Sequence, residues 1–376
     1  MRGEPKKALA QQPQGEHLLG PIDGSFPLSA PGSRFGRDPN WCVTVNRKGC
    51  FMRRGLGFVP VVLLFGVTTT SAVTNQSIVP ALVLNYPGAT STQARGINNP
   101  GEVVGTYVCA ARCTNPLTGE DSTAGTHGFL FQNGVYSRLD VPGASQTIPR
   151  GISSNGTVVG QYTASGVVNA FTYQEGSFTN PIDVPAALFD NLGAPKHTLG
   201  VGINPQGELV GCFHEDNLTM TTMHGWLKGL DGEFHELVTP HSPGDTTSHD
   251  PDTMNNGISA TGQIVGIYFS SGVSYIADQA GVITTFTVDD FYSTHAYGVN
   301  ARGDVVGFYG TNQAGAPPVS PRGFLRTRQG DYRGYVVGGA NSTQIWGIND
   351  MGAIVGQYTD AAGTHGFVYR FTERKP

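Results

Sequence analysis

GINNPGEVVG, residues 96–105, is the first of six copies of one phrase: Gly, Ile or Val, Asn or Ser, two free positions, Gly, a free position, an aliphatic, Val, Gly. The others begin at Gly151 (GISSNGTVVG), Gly202 (GINPQGELVG), Gly257 (GISATGQIVG), Gly298 (GVNARGDVVG) and Gly347 (GINDMGAIVG). Starts are separated by 55, 51, 55, 41 and 49 residues. A period near fifty means stacked supersecondary units rather than unrelated domains. Within the phrase, the Asn or Ser and the Gly three residues on suit positions i and i+3 of a type I turn. A short side-chain oxygen at the first position bonds nearby amides, so the phrase reads as a hairpin.

After each turn comes a strand such as Glu102 to Tyr107 or Ala353 to Tyr358, apolar on consecutive positions and therefore covered on both faces. A second element follows a variable loop: His127 to Phe131, Asn169 to Tyr173, His224 to Leu227, Ser274 to Ile276, Arg322 to Leu325 and His365 to Tyr369. A Gly-containing turn then leads to a last strand, as in Val135 to Val141, Ser177 to Val184 or Val282 to Val288. Each repeat thus supplies four strands. Four-stranded antiparallel sheets repeated about an axis are the blades of a β-propeller, so the expected fold is all-β with six blades. The final repeat stops after three strands, whereas Val79 to Tyr86 lies unpaired before the first phrase. That N-terminal strand is expected to complete the last blade and leave no open edge.

Composition agrees: Gly supplies 53 of 376 residues, double the usual share of roughly 7%, and long amphipathic helical patterns are absent. Ahead of the repeats, Met52, Arg53 and Arg54 precede an apolar stretch from Leu56 to Val67 and the small residues Thr70, Ser71 and Ala72. This is a signal-peptide pattern, too short for a stable membrane span. The expected organisation is therefore an upstream or disordered arm over 1–51, a signal peptide over 52–72 and a six-repeat domain over 78–376. Export to the periplasm or outside follows.

Cleavage after Ala72 removes 9 of 23 basic and 4 of 28 acidic residues, leaving 14 against 24 and a formal charge of −10. An acidic chain without a basic stripe lacks what phosphate neutralisation requires, so nucleic acid is excluded as a partner. In an oxidising compartment Cys109 and Cys113 either close a small disulfide loop or stay free, while Cys212, inside a strand, reads as an inert buried thiol.

The linked motifs GIN-x-x-G-x-[IV]-VG-x-Y, HGF and D-x-PGA-x-x-T resemble the HAF-type extracellular repeat family. The best copies are the first (Gly96, His127, Asp140, Pro142, Gly143, Thr147) and the last (Gly347, His365, Gly366). The second replaces His-Gly by Asn169-Ala170, the fourth by Val273-Ser274, and the third lacks the PGA element. The resemblance spans Val79 to Val368 and implies an exported bacterial repeat protein of unassigned role. It carries over no catalytic residues.

No G-x-S-x-G elbow, phosphate loop or H-E-x-x-H helix is present, so no catalytic residue is assigned. His127, His224 and His365 recur at one position and are expected to bridge strands by hydrogen bonds. Asp140, Asp183 and Asp289 are expected to cap turn amides, and the six Asn or Ser residues of the phrase to form turns only. Function is then sought where the repeat breaks, in the long loops of one face. Around the third repeat His214, Glu215, Asp216, His241, Asp245, His249, Asp250 and Asp252 are the candidate ligand-binding residues. None shows a metal-site spacing, so no cofactor is expected, although Asp and His are donors a divalent ion would accept. The expected function is a monomeric, non-catalytic module that binds a glycan, peptide or protein. The alternative is a polysaccharide hydrolase or lyase using Glu215, Asp216, Asp245 and Asp250. N-terminal sequencing of the native chain is expected to read Val73 first; a start upstream of Met52 contradicts the leader assignment.

Overall fold

A computed structural model describes residues 73–185, 197–214, 223–236, 252–288, 293–310 and 319–371. The arm over 1–51 and the leader over 52–72 lie outside them. The described residues hold no helix, and so none long and apolar enough to cross a membrane. They form all-β units of four antiparallel strands, each contributed mainly by one repeat. In the first unit the order is Ser91–Ile97, Val103–Cys109, Gly125–Gln132 and Val135–Arg138, each strand paired to the one before it. The phrase turn joins the first two: Asn98 Oδ1 accepts from the amides of Gly101 and Glu102 at 3.1 and 2.8 Å. Gly207 occupies the same place in the third unit at φ +100°, a region that only glycine enters without penalty.

Inside each unit the second Gly of the phrase and the aromatic of the HGF element are one device. Gly105 lies under the ring of Phe129, and a Cβ there would sit 2.9 Å from the ring carbons. Gly160 and Phe171, Gly211 and Trp226, Gly307 and Phe324, and Gly356 and Phe367 repeat the contact, and every one of these aromatics is fully buried. Burying one such ring is worth roughly 1.5–3 kcal/mol, so each unit carries its own hydrophobic anchor. Neighbouring units share cores as well: Val159 and Ala170 of the second pack with Phe213 and Trp226 of the third.

The Thr of the PGA-x-x-T motif has a structural task that the sequence reading did not assign. Thr147 Oγ1 accepts from the amide of Val141 at 3.0 Å, and Thr92, Thr294 and Thr343 do the same for Tyr86, Val288 and Val337. Each ties the crossover between units to the next first strand. Asp140 differs from its expected role: its Oδ1 accepts from Gly128 N on the third strand and its Oδ2 lies 2.7 Å from His127 Nδ1. His365 Nδ1 meets Asn85 Oδ1 at 2.7 Å in the matching place, so the histidines bridge strand three to the segment that follows strand four. Asp289 lies outside the described residues.

Of the expected closing strand, Leu82–Leu84 is a strand and pairs antiparallel with Gly366–Val368 as the fourth strand of the last unit. The strand is shorter than expected because Pro80 interrupts the run and has no amide to donate. Asn75–Ile78, unforeseen, adds a fifth strand parallel to Gly334–Val337 of the fifth unit. The first and last units touch through Thr364 and Ser91.

The first strands of successive units converge at the first Gly of each phrase. A Cβ on Gly96 would meet Gly151 Cα at 3.1 Å; Gly151 looks onto Gly202, Gly202 onto Gly257, Gly257 onto Gly298, Gly298 onto Gly347, and Gly347 back onto Gly96 at 3.4 Å. The phrase Asn residues also do more than form turns. Asn98, Asn204, Asn300 and Asn349 each send Nδ2 to a backbone carbonyl of the neighbouring turn: Ser153, Ser259, Asn349 and Asn98 respectively. Where Ser153 and Ser259 stand instead, the hydroxyl serves only its own turn.

Gly257→Ala would place a methyl group 2.5 Å from the carbonyl oxygen of Tyr297 and is expected to cost about 2–3 kcal/mol by overpacking. Gly281→Ala, at φ +77° with open space around it, is expected to cost about 1 kcal/mol. Denaturant midpoints of the two variants compare the costs; equal losses would contradict close approach as the reason for the first glycine.

Candidate ligand-binding site

Along each first strand, pairing with the second strand slips by one residue immediately before the phrase Gly. Ala94 pairs with Gly105 and Gly96 with Val104, leaving Arg95 unpaired between them. The same slip leaves out Arg150, Val201, Asn256, Tyr297 and Trp346. Such a β-bulge re-aims one side chain out of the regular alternation. All six left-out residues line one cavity, together with the six glycines and the following Ile97, Ile152, Ile203, Ile258, Val299 and Ile348. It encloses about 610 Å³ including its open mouth.

The six aliphatic side chains also line a second cavity of about 350 Å³ on the turn side, with Asn99, Ser154, Pro205, Ala260 and Asp350. They therefore form an apolar constriction between two compartments. The larger compartment lies on the side from which the long connections leave, among them residues 110–124. There Cys109 and Cys113 are joined by a disulfide, with Cα atoms 5.7 Å apart. Arg112 pairs with Asp121 across the short hairpin of Cys113–Thr114 and Asp121–Ser122.

Chemically the six bulge residues divide into arcs: two arginines, one valine, one amide and two aromatics. Arg95 Nη2 donates to Gln93 Oε1 at 2.7 Å, and its guanidinium lies 4.8 Å from the centroid of the Trp346 ring. Arg150 Nε donates to Gln161 Oε1 at 2.8 Å. Tyr297 packs edge-on to Trp346 at 4.4 Å and stacks on Phe308 at 5.6 Å. Among the described residues neither arginine has a carboxylate within ion-pair distance. Burial, and then repulsion from Arg150, holds Arg95 down to about 9; burial lowers Arg150 too. Both remain cationic at neutral pH, so the cavity holds uncompensated positive charge inside an acidic protein. Such charge is costly unless a counter-charge joins it.

Arg95 Nε, Trp346 Nε1, Asn256 Oδ1 and Gln357 Oε1 are buried without a hydrogen-bond partner among the described residues. Native proteins leave few such groups unmatched; Arg95, Asn256 and Trp346 line the cavity, which makes it the candidate site.

Of the loop residues singled out in the sequence, Glu215, Asp216, His241, Asp245, His249 and Asp250 lie outside the described residues. His214 ends the strand Leu209–His214 and is buried, its Nε2 3.9 Å from Cys212 Sγ. Asp252 is buried just ahead of Thr253–Ile258, where its Oδ2 accepts from Ser270 N at 2.7 Å. A backbone bridge between Met223 and Asp252 brings it against the third unit. Among the described residues no three His, Cys, Asp or Glu side chains gather as a metal site. Cys212 is fully buried and its thiol is pushed up to about 12, which keeps it protonated.

The bulge residues were missed because each reads as an ordinary strand position. The place directly before the first glycine of each phrase holds Arg, Arg, Val, Asn, Tyr and Trp, one variable place among several.

No family model matches the chain, and no curated protein is similar to it in sequence. Solved structures that share its general build include a streptogramin B lyase, 11% identical over 78% of this chain and 88% of the other at TM-score 0.42. A calcium-binding regucalcin from Agrobacterium tumefaciens is 12% identical over 79% and 98%, also at 0.42. A fucose-specific lectin from Aleuria aurantia is 8% identical over 76% and 97%, at 0.43. Likeness at this level says nothing of ligand or activity.

Two imidazoles outside the cavity lining, His224 buried and His295 partly buried, give the fold a pH signature. Burial lowers His295 from 6.5 to about 4, and burial with the neighbouring His214 lowers His224 likewise. Each ring is neutral in the fold and takes up a proton below about 6.5 when unfolded. Stability is therefore full above pH 6.5 and is lost as pH falls toward 4, by roughly 1.4 kcal/mol per ring for each pH unit crossed. Melting temperatures measured across that window should fall with pH, and His295→Phe should flatten the slope; an unchanged slope contradicts the assignment.

Proposed function

We propose that the chain is an exported, non-catalytic binding protein of the HAF repeat type, built as a closed six-bladed β-propeller, which takes its ligand into the axial cavity from the loop face. The observation that carries the reading is the six-fold bulge: every repeat gives up one ladder position at the same place and turns the residue there, Arg95, Arg150, Val201, Asn256, Tyr297 or Trp346, onto one cavity. The crowding that calls for the bulge leaves the identity of the re-aimed residue open, and the charged, polar and aromatic side chains placed there line one cavity, as a binding site requires. The cycle of glycine contacts from Gly96 to Gly347 and back, with Leu82–Leu84 completing the last unit, supports the closed ring.

Export draws on the Arg53-Arg54 and Leu56–Val67 pattern, with which the Cys109–Cys113 disulfide is consistent. Concave sites lined by apolar side chains with a few polar groups are the usual places for small ligands, and this cavity combines six aliphatic side chains with Arg95, Arg150 and Asn256. Hydrolysis of polysaccharide by this cavity would need paired carboxylates, and its walls among the described residues contain neither Asp nor Glu.

Val201→Trp places at the third repeat the side chain that the sixth already carries, and so fills the cavity without a foreign residue type. Glycan-array and thermal-shift screens of the mature chain are expected to return ligands whose binding is lost at least tenfold in Val201→Trp. Ligands that bind this variant as well as the parent would reject the axial cavity as the site.

A further inference from the structure

Hydrogen-bonding capacity around the axial cavity is unevenly signed. On the arc of the first, second and sixth units stand cationic or donor groups: Arg95, Arg150 and Trp346 Nε1. The terminal nitrogens of Arg150 make no hydrogen bond to any described residue, because Gln161 takes Nε alone. Across the ring, on the fourth unit, Asn256 spends its Nδ2 on Ala296 O at 2.8 Å and keeps Oδ1 unmatched and buried.

Donors with positive charge on one side require an anionic acceptor in the ligand. The unmatched Asn256 Oδ1 on the other calls for a ligand O–H or N–H. We propose that the occupant of the axial cavity is a small hydroxylated organic acid of the sugar-acid class, its carboxylate held by Arg95 and Arg150 and a hydroxyl donating to Asn256. The inference rests on the reading of the cavity as a binding site and adds the chemistry of what enters it.

Three further features fit this assignment. A guanidinium presents paired donors that match the two oxygens of a carboxylate, and its planar face tolerates an aromatic neighbour, as Arg95 has in Trp346. Gln93 and Gln161 orient the two guanidiniums through neutral amides rather than carboxylates, so both positive charges are left for the ligand. An anion that enters also removes the repulsion between the two arginines, which the empty ring must bear.

Isothermal titration of the mature chain with D-glucuronate, D-glucose, propionate and inorganic sulfate separates the requirements. Glucuronate is expected to bind at least tenfold more tightly than glucose, which lacks the charge, and than propionate, which lacks the hydroxyls. Arg150→Met is expected to abolish that preference for glucuronate while its melting temperature stays at or above the parent's, because the variant removes a buried charge without leaving a hole. Asn256→Leu is expected to bring glucuronate down to the level of propionate. Sulfate binding as tightly as glucuronate would overturn the hydroxy-acid assignment in favour of a general oxyanion site. Glucuronate binding that survives Arg150→Met would overturn it outright. If the screens above return only neutral ligands that Val201→Trp excludes, the axial site stands and the acid assignment falls.

Discussion

Everything in this molecule depends on how closely six first strands can approach one another. At the phrase glycines the separation leaves no room for a methyl group: a Cβ on Gly96, Gly151 or Gly347 would lie 2.9 Å from a backbone carbonyl of the next strand. Any side chain there would push the units apart and break the cores they share, such as Val159 and Ala170 against Phe213 and Trp226. Glycine is therefore chosen at these places for its absent Cβ, and the aliphatic residue that follows fills the remaining space as a plug.

The same convergence shapes the cavity. A strand that is regular up to the crowded point would send its last side chain into the next strand; slipping the register by one residue moves that side chain out and toward the cavity. Scaffold and cavity lining are thus two consequences of one bulge, repeated six times. Because the backbone geometry of each position is fixed by its neighbours, the residue placed there is free to vary, and Arg95, Arg150, Val201, Asn256, Tyr297 and Trp346 differ where the flanking glycines do not. In the proposed reading, the asymmetry of chemistry on a near-symmetric frame is what would suit an asymmetric ligand.

Much of this architecture was legible in the residues. The turn at Asn98 and Gly101, the four strands per repeat and the pairing of the N-terminal strand with the last repeat all follow from pattern, since turn chemistry and strand alternation act locally. The added strand at Asn75–Ile78 was not legible, because it is held by the edge of a distant sheet and its sequence carries no alternation of its own. The bulges were invisible for a similar reason: a register slip is a relation between two strands, and neither strand alone records it. The search for a site in the His- and Asp-rich loops followed composition. His214 and Asp252, the members of that set within the described residues, are buried in hydrogen-bonded packing instead.

The pairing of Leu82–Leu84 with Gly366–Val368 also sets an order of events during synthesis. The N-terminal strand emerges first and its partner last, with nearly the whole repeat region between them. At about 5–20 residues per second, the early strand waits on the order of 15–60 s with its amides and carbonyls unpaired. Over that interval the partly made array presents open sheet edges at both ends, the kind of surface on which foreign strands add. Keeping this strand to three residues, bounded by Pro80 and Pro87, leaves little template for such additions. The brevity of this strand is therefore a safeguard for the nascent chain as much as a feature of the finished one.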